Sequence, residues 1–399
     1  MCPSVLQIGA RWFPEVRTGL ERYYYDLVHH LPAAGFEVRG LVLARARPSQ
    51  RDGLAIDAYE RPDTFIAKRI LALRRAAQAS IASHRPSLLA CHYALYGLPI
   101  ADAMRATPTV FHFHGPWAAE GQVERDALPV WLLKRGIEQV LYQKPAGFVV
   151  LSRAFRDILV EAYRVPPERI AVISGGVDVS LFESELDKTA SRRVLGLATD
   201  RPIVLTIRRL VRRMGLENLI TAMADVVRKF PDILLLIGGM GPLQQELEQQ
   251  IAALELGKNI RLLGNVPDAQ LPLLYRAADL SIVPSLTLEG FGLTTVESLA
   301  CGTPVLVTPV GGLPEVAADL SPSLILPGSA PGILAEGMKA FFAGALAVPD
   351  AKACTDYVRQ RFDWPIIARR IAALYTAILA QGHESRREKA NPAVSEAVS

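Results

Sequence analysis

The sequence predicts two doubly wound α/β domains, each a parallel sheet with helices on both faces, set across a cleft. Three observations carry that expectation. Short apolar runs alternate with amphipathic stretches almost from end to end, the pattern of repeated strand–helix units. At 399 residues the chain is longer than one core usually supports. The alternation weakens once, over residues 175–197, where Gly175-Gly176 opens an acidic and polar stretch. A first domain over 1–180 and a second over 181–363 follow. Ligands of such sheets bind beyond the carboxyl ends of the strands, which makes the cleft the default site.

Residues 5–10 read as the first strand, closed by Arg11-Trp12-Phe13-Pro14 and Gly19. Residues 20–31 have helical spacing, and Gly35 precedes a second strand over 37–43. Over 64–83, Ile66, Ile70, Leu73 and Ala77 share a helical face. Strands are expected at 88–91, 109–112, 147–151 and 170–173, with a helix over 151–165. The second set begins after Arg201-Pro202, with strands at 203–207, 233–237, 260–262, 280–283 and 304–308. Helices at 215–230, 242–256, 269–277 and 293–301 separate them. Residues 364–380 form one more amphipathic helix. The small and charged residues of 382–399 read as a disordered tail.

Composition excludes several classes. Half the residues are hydrophobic, 21% are charged and the mean hydropathy is +0.21, values of an ordered, core-rich protein. No apolar run approaches the roughly 18 residues of a membrane span, and the first ten residues are too short for a signal peptide, so a cytoplasmic protein is expected. Cysteines 2, 91, 301 and 354 lack CxxC or metal-ligand spacing and read as reduced thiols. A net charge of +4 without a basic, aromatic-laced stripe argues against nucleic acid as a partner. The positive excess lies in the first 180 residues. Lys68, Arg69, Arg74 and Arg75 make 64–83 a basic amphipathic helix, suited either to peripheral contact with an anionic membrane or to a solvated face.

The stretch from Pro284 to Pro304 is the most informative. A buried strand ends at Val283; Gly290 and Gly292 free a tight loop; a helix follows. Amides of Gly290, Phe291, Gly292 and Leu293, with the positive end of a helix dipole, suit an anion such as a diphosphate. Glu289 and Glu297 flank them. On a continuous helix they would be about 12 Å apart, roughly the span from sugar to ribose in a nucleotide-sugar. Spacing alone leaves open the simpler reading of acids that favour a helix N-terminus.

With F-G between the two glutamates and C-G-x-P-V after them, the segment resembles the donor site of family 4 glycosyltransferases, retaining enzymes of the GT-B fold. The resemblance continues through Thr206–Leu219, Leu236–Leu243, Leu262–Val266 and Thr308–Glu315. It implies an acceptor-binding first domain, a donor-binding second domain and a last helix that crosses back to the first. The implied reaction moves a sugar from a UDP-, GDP- or dTDP-sugar to a hydroxyl acceptor, with no cofactor and no metal. Glu289 would orient the sugar and Glu297 the ribose. Gly241 and Val266 would line the donor pocket, and Gly19 would approach the phosphates. His114, before Gly115, matches the family's sugar-contacting histidine; His112 reads as buried support, and a zinc pair is the competing reading. Gly311 and Gly312 would let the backbone approach a ligand.

One position departs from the family. The diphosphate is usually held by Arg and Lys five residues apart; Arg209 stands at the first place and Met214 at the second. Arg209 with Arg213 is the expected substitute, while Arg208 and Arg212 read as solvated loop charges. A catalytically inert nucleotide-sugar-binding scaffold and a nucleotide-sugar epimerase are the other classes. The Phe111–Trp117 phrase, together with Arg208–Glu217, resembles a bacterial subgroup of natural-product and polysaccharide assembly that includes the enzyme of the avilamycin pathway.

Overall fold

The computed structural model describes residues 2–13, 15–46, 48, 54–183 and 186–390, the last eight by backbone alone. Contacts divide the chain into two units. One comprises 1–118, 128–174 and 364–399; the other comprises 119–127 and 175–363. The division falls at Gly175 rather than at 181, and the short segment 119–127 joins the second unit.

The first unit is built on seven parallel strands: β1 (Ser4–Arg11), β2 (Glu37–Leu43), β3 (Ala55–Glu60), β4 (Leu88–Cys91), β5 (Thr109–Phe113), β6 (Gly147–Val150) and β7 (Ile170–Val172), in the order β3-β2-β1-β4-β5-β6-β7. Every residue of β4, β5 and β6 is buried, as expected of strands covered on both faces, and this is why they read as mostly apolar runs, with Thr109 and His112 of β5 the polar exceptions. The edge strand β3 was not expected from the sequence. It carries Asp57 and Glu60 and buries only Ile56 fully, so its pattern has no continuous apolar signal.

One face of the sheet is covered by a cluster that includes Tyr24, Leu27, Trp364 and Tyr375, the other by one that includes Leu73, Ala77, Leu141 and Phe155. The last helix, Trp364–Ala390, belongs to the first unit. Trp364, Ile367, Ile371 and Tyr375 are completely buried, and Trp364 Nε1 donates to Asp26 Oδ2 at 3.0 Å. This helix runs past its expected end at 380, so the expected disorder from 382 does not hold as far as Ala390. Glu384, Arg386, Arg387, Glu388 and Lys389 are good helix formers, and a single Gly382 costs only about 1 kcal/mol. Residues 391–399 lie outside the described residues.

The second unit has five parallel strands: β8 (Ile203–Ile207), β9 (Leu234–Gly238), β10 (Ile260–Gly264), β11 (Leu280–Val283) and β12 (Val305–Val307), in the order β10-β9-β8-β11-β12. In each sheet the order reverses at one strand: β1, between β2 and β4, and β8, between β9 and β11. Crevices beyond the carboxyl ends at such reversals are where these sheets take ligands.

Candidate functional site

Two loops leave the second sheet at its reversal: 208–215 after β8, and 284–292 after β11. Gly292, at φ 84°, caps the helix Leu293–Ala300 and offers no side chain to its first turn, so the orphan amides there have no side-chain cap. Glu289 lies just before them. Its carboxylate pairs with Arg208 and accepts from Ser285 Oγ at 3.0 Å. Burial alone would raise its pKa. The charge and hydrogen bond of Arg208, then Arg213 and Ser285, more than offset that and hold it below the usual carboxylate value.

Arg208 is 8% exposed, and the expectation of a solvated loop charge is overturned. Its guanidinium also donates to Ser285 Oγ at 2.6 Å and Thr294 Oγ1 at 3.3 Å, and lies 2.7 Å from Met214 Sδ. The Coulomb attraction of a buried carboxylate draws it inward, a partner that sequence adjacency does not reveal. Arg212 behaves as expected, ion-paired to Glu246 at the surface. Arg213 is 7% exposed and braces the second loop. It donates to the Leu288 carbonyl at 2.9 Å and pairs with Glu120 at 3.2 Å. Arg209 is exposed.

The loop that carries Glu289 is strained and held from behind. Leu288 has φ 53°, a left-handed conformation that a branched side chain rarely adopts. The Glu289 carbonyl accepts from the Gly312 amide at 2.9 Å. Gly311 (φ 57°) lies so close that a Cβ there would sit 1.9 Å from the same carbonyl oxygen. Gly311 thus makes room for the Glu289 backbone, where a ligand had been expected.

Glu297, 8% exposed and in the second turn of its helix, accepts from Tyr275 Oη at 2.9 Å. Gly241, after β9, passes against the Leu210 carbonyl; Val266, after β10, packs on Gly238. Arg208 Nε and Thr295 Oγ1 are buried without a hydrogen-bond partner among the described residues. Such orphans beside an uncapped helix start suit a polar ligand.

In the first unit, Gly19 opens the helix Gly19–His30 after β1, at the exposed end of the sheet's reversal. His114 follows β5 and is part-exposed; His112 is buried. His92, unnoticed in the sequence, follows β4 and joins them. His92 Nδ1 lies 3.2 Å from His114 Nε2, and His92 Nε2 lies 2.8 Å from Gln7 Oε1. Gln7 Nε2 donates to Tyr375 Oη at 3.2 Å, and Tyr375 Oη lies 2.6 Å from His112 Nε2. Desolvation pushes all three imidazoles down, His114 to about 3. They are therefore neutral. With Gln7 Oε1 as acceptor, His92 carries its proton on Nε2, and His114 donates from Nε2 to His92 Nδ1. His114 Nδ1 is left as an acceptor. Among the described residues no cluster of His, Cys, Asp and Glu is arranged to hold a metal.

Residues 17–181 match the model of Glycosyltransferase Family 4, and residues 187–361 that of Glycosyl transferases group 1. The D-inositol 3-phosphate glycosyltransferase of Segniliparus rotundus is 34% identical over 232 residues, 56% of this chain and 50% of the relative. That of Thermobispora bispora is 32% identical over 303 residues, 73% and 68% of the two chains. The chain thus spans between half and about two thirds of the length of these relatives. Sucrose-phosphate synthase from Thermosynechococcus elongatus superposes with a TM-score of 0.80 at 23% identity, over 95% of this chain and all of that one. Anabaena HepE in complex with UDP and glucose gives 0.75 at 20% identity, over 94% and 100%. At these identities the superpositions speak for the fold, which is GT-B. The sequence matches speak for the family: the chain belongs to the group 1 glycosyltransferases, family 4.

Proposed function

We propose that the protein is a retaining glycosyltransferase that moves a sugar from a UDP-, GDP- or dTDP-sugar to a hydroxyl of an oligosaccharide, a polysaccharide precursor or a natural product. The observation that carries this reading is the Arg208–Glu289 pair at the mouth of an uncapped helix N-terminus, with Arg208 Nε and Thr295 Oγ1 unpartnered beside it. An anionic leaving group needs such donors where its charge develops.

In this reading the amides of Gly290 to Leu293 and the Arg208, Arg209 and Arg213 charges receive the diphosphate, Gly19 allows close approach in the first unit, and Gly241 and Val266 flank the nucleotide. The bond from the anomeric carbon to the diphosphate oxygen breaks and leaves an oxocarbenium-like centre. The acceptor oxygen bonds to that carbon on the face the diphosphate leaves, and its proton passes to a phosphate oxygen. No carboxylate nucleophile is required. Glu289 orients sugar hydroxyls, Glu297 accepts from the ribose, and His114 Nδ1 accepts from a substrate hydroxyl. Arg208 supplies a cation beside Met214, which weighs against the inert-scaffold alternative in so far as that reading rests on the missing lysine.

The test is thermal stabilisation across UDP, GDP, dTDP and ADP, followed by the anomeric configuration of the product from the matching donor by NMR. Stabilisation by one nucleotide and a product anomer equal to the donor's support the reading. No stabilisation, or inversion, defeats it. A cytoplasmic protein that touches the inner membrane face through the helix Ile66–His84 completes the proposal. That helix carries no acid, and among the described residues no helix is long and apolar enough to cross a membrane.

A further inference from the structure

The helix Leu128–Leu141 of the first unit is inside out. Its charged residues face inward. Glu138 is fully buried and accepts from Tyr163 Oη at 2.7 Å, Tyr142 Oη at 3.2 Å and the Ala118 amide at 3.2 Å. The Arg135 guanidinium lies 4.2 Å from the Tyr163 ring centre and donates to the Ala162 carbonyl, and Lys134 Nζ lies 5.0 Å from that of Trp117. The outward side carries Leu128, Val130, Leu132, Leu133 and Val140, between 44% and 66% exposed. A helix on a water-facing domain shows the opposite pattern, and a contiguous exposed apolar patch of this kind marks a surface that something covers.

A second helix shares this side of the sheet. Ile66–His84 packs through Leu73 and Ala77 into the same cluster that receives Leu141, so both helices turn their outer surfaces away from one sheet face. Phe65, at 88% exposure the most exposed large apolar residue described, precedes it, with Ile66 and Leu71 also exposed. Lys68, Arg74 and Arg75 stand among them; Glu60 and Asp102 at the margin pair with Lys68 and Arg74. Neither helix presents an acid to solvent, since the only one on either is the buried Glu138.

We infer that this two-helix face docks on an anionic phospholipid bilayer, with the leucines of Leu128–Leu141 at the headgroup–acyl boundary and Lys68, Arg74 and Arg75 against lipid phosphates. Apolar side chains on two helices that present only cations to solvent match that surface. A second copy of the chain matches it worse, because an isologous pairing would set these cations against themselves, with only the marginal Glu60 and Asp102, already paired within the chain, to meet them. The inference extends the contact proposed for Ile66–His84 to the helix with most of the apolar surface, and it does not depend on the transferase reading.

The test is flotation of the full-length protein with phosphatidylcholine vesicles and with vesicles containing about 30% phosphatidylglycerol, at about 0.1 M and about 0.5 M salt. The protein is expected to float with the anionic vesicles and less so at high salt. The double variant L132E/L133E is expected to bind at least about tenfold more weakly, because each glutamate removes an inserted side chain and adds repulsion. Its melting temperature should be unchanged, since both positions are exposed. Absence of flotation overturns the inference. So does flotation that survives L132E/L133E and is lost only in F65E/I66E, which would confine contact to the first helix. A dimer in sedimentation velocity that the leucine variant dissolves would show a second copy on this face and overturn it equally.

Discussion

Arg208 pairs with Glu289 while its guanidinium lies 2.7 Å from the Met214 sulfur. The family resemblance implies a lysine at 214. Here a cation reaches the same neighbourhood from a backbone position six residues earlier. A lysine at 214 beside Arg208 would place two cations in contact, so the arginine and the methionine belong together as one solution.

Replacing Arg208 by Met leaves a buried carboxylate without its main partner. The expected loss of stability is about 3–5 kcal/mol, read by denaturant unfolding. Nucleotide should then no longer raise the melting temperature. The double variant R208G/M214K should recover part of that nucleotide response. If R208M binds nucleotide like the parent, the phosphate charge comes from Arg209 or Arg213 alone.

The two glutamates should separate cleanly. Glu289→Gln should leave nucleotide affinity largely intact and abolish turnover. Glu297→Ala should weaken nucleotide binding by about ten- to a hundredfold, the worth of hydrogen bonds to a charged acceptor. Calorimetric titration of both variants decides; equal affinities would end that division of roles.

Gly311 leaves no room for a side chain. Gly311→Ala combines a left-handed φ with a contact at 1.9 Å to the Glu289 carbonyl. It should cost clearly more than the roughly 1 kcal/mol expected of Gly196→Ala, where φ is also positive but nothing lies within 4 Å. Melting curves of the pair test it. Equal losses would mean that the loop yields and Glu289 is not held from behind.

Acid should destabilise the first unit early. His92, His112 and His114 are held below the ordinary imidazole value of 6.5 by burial. The unfolded chain therefore binds more protons as pH falls, so stability is full above about pH 6.5 and declines below it. Glu289, also depressed, contributes above its ordinary value of 4.5 and loses that share only as pH falls through its lower folded value. The melting temperature should drop between about pH 7 and pH 5, and His92→Gln should flatten the drop. A flat profile in the parent, or an unchanged slope in the variant, would show that these rings are protonated when folded.

Sequence reasoning reached the parallel sheets because β4, β5, β6, β8 and β11 are buried almost throughout and so are mostly apolar, with single polar residues such as His112 and Ser281 among them. It missed β3, whose edge position lets polar residues in. It read a strand, a glycine loop carrying Glu289 and a helix carrying Glu297 in the order the structure has them, since a strand followed by Gly-Phe-Gly and a helix has few ways to fold. Arg208 was misjudged because its partner lies 81 positions away. His92 was invisible for a related reason: its partners Gln7 and His114 come from two distant segments. The inverted helix Leu128–Leu141 left no clear mark either, because its apolar content looks like that of a core helix until the fold shows which side faces in.

The discontinuity of the first unit sets an order of events during synthesis. Trp364, Ile367, Ile371 and Tyr375 fill its core, yet they emerge from the ribosome only after the whole second unit has been made. The unit encoded first is thus completed last. Until then its strands wait with an open face, and Gln7 and His112 lack the Tyr375 hydroxyl that ties them together. A chain truncated after residue 363 would hold a finished second unit and an unfinished first one. Quality control acting on exposed apolar surface would find its target in the amino-terminal half of such a chain, even when the break lies at the carboxyl end.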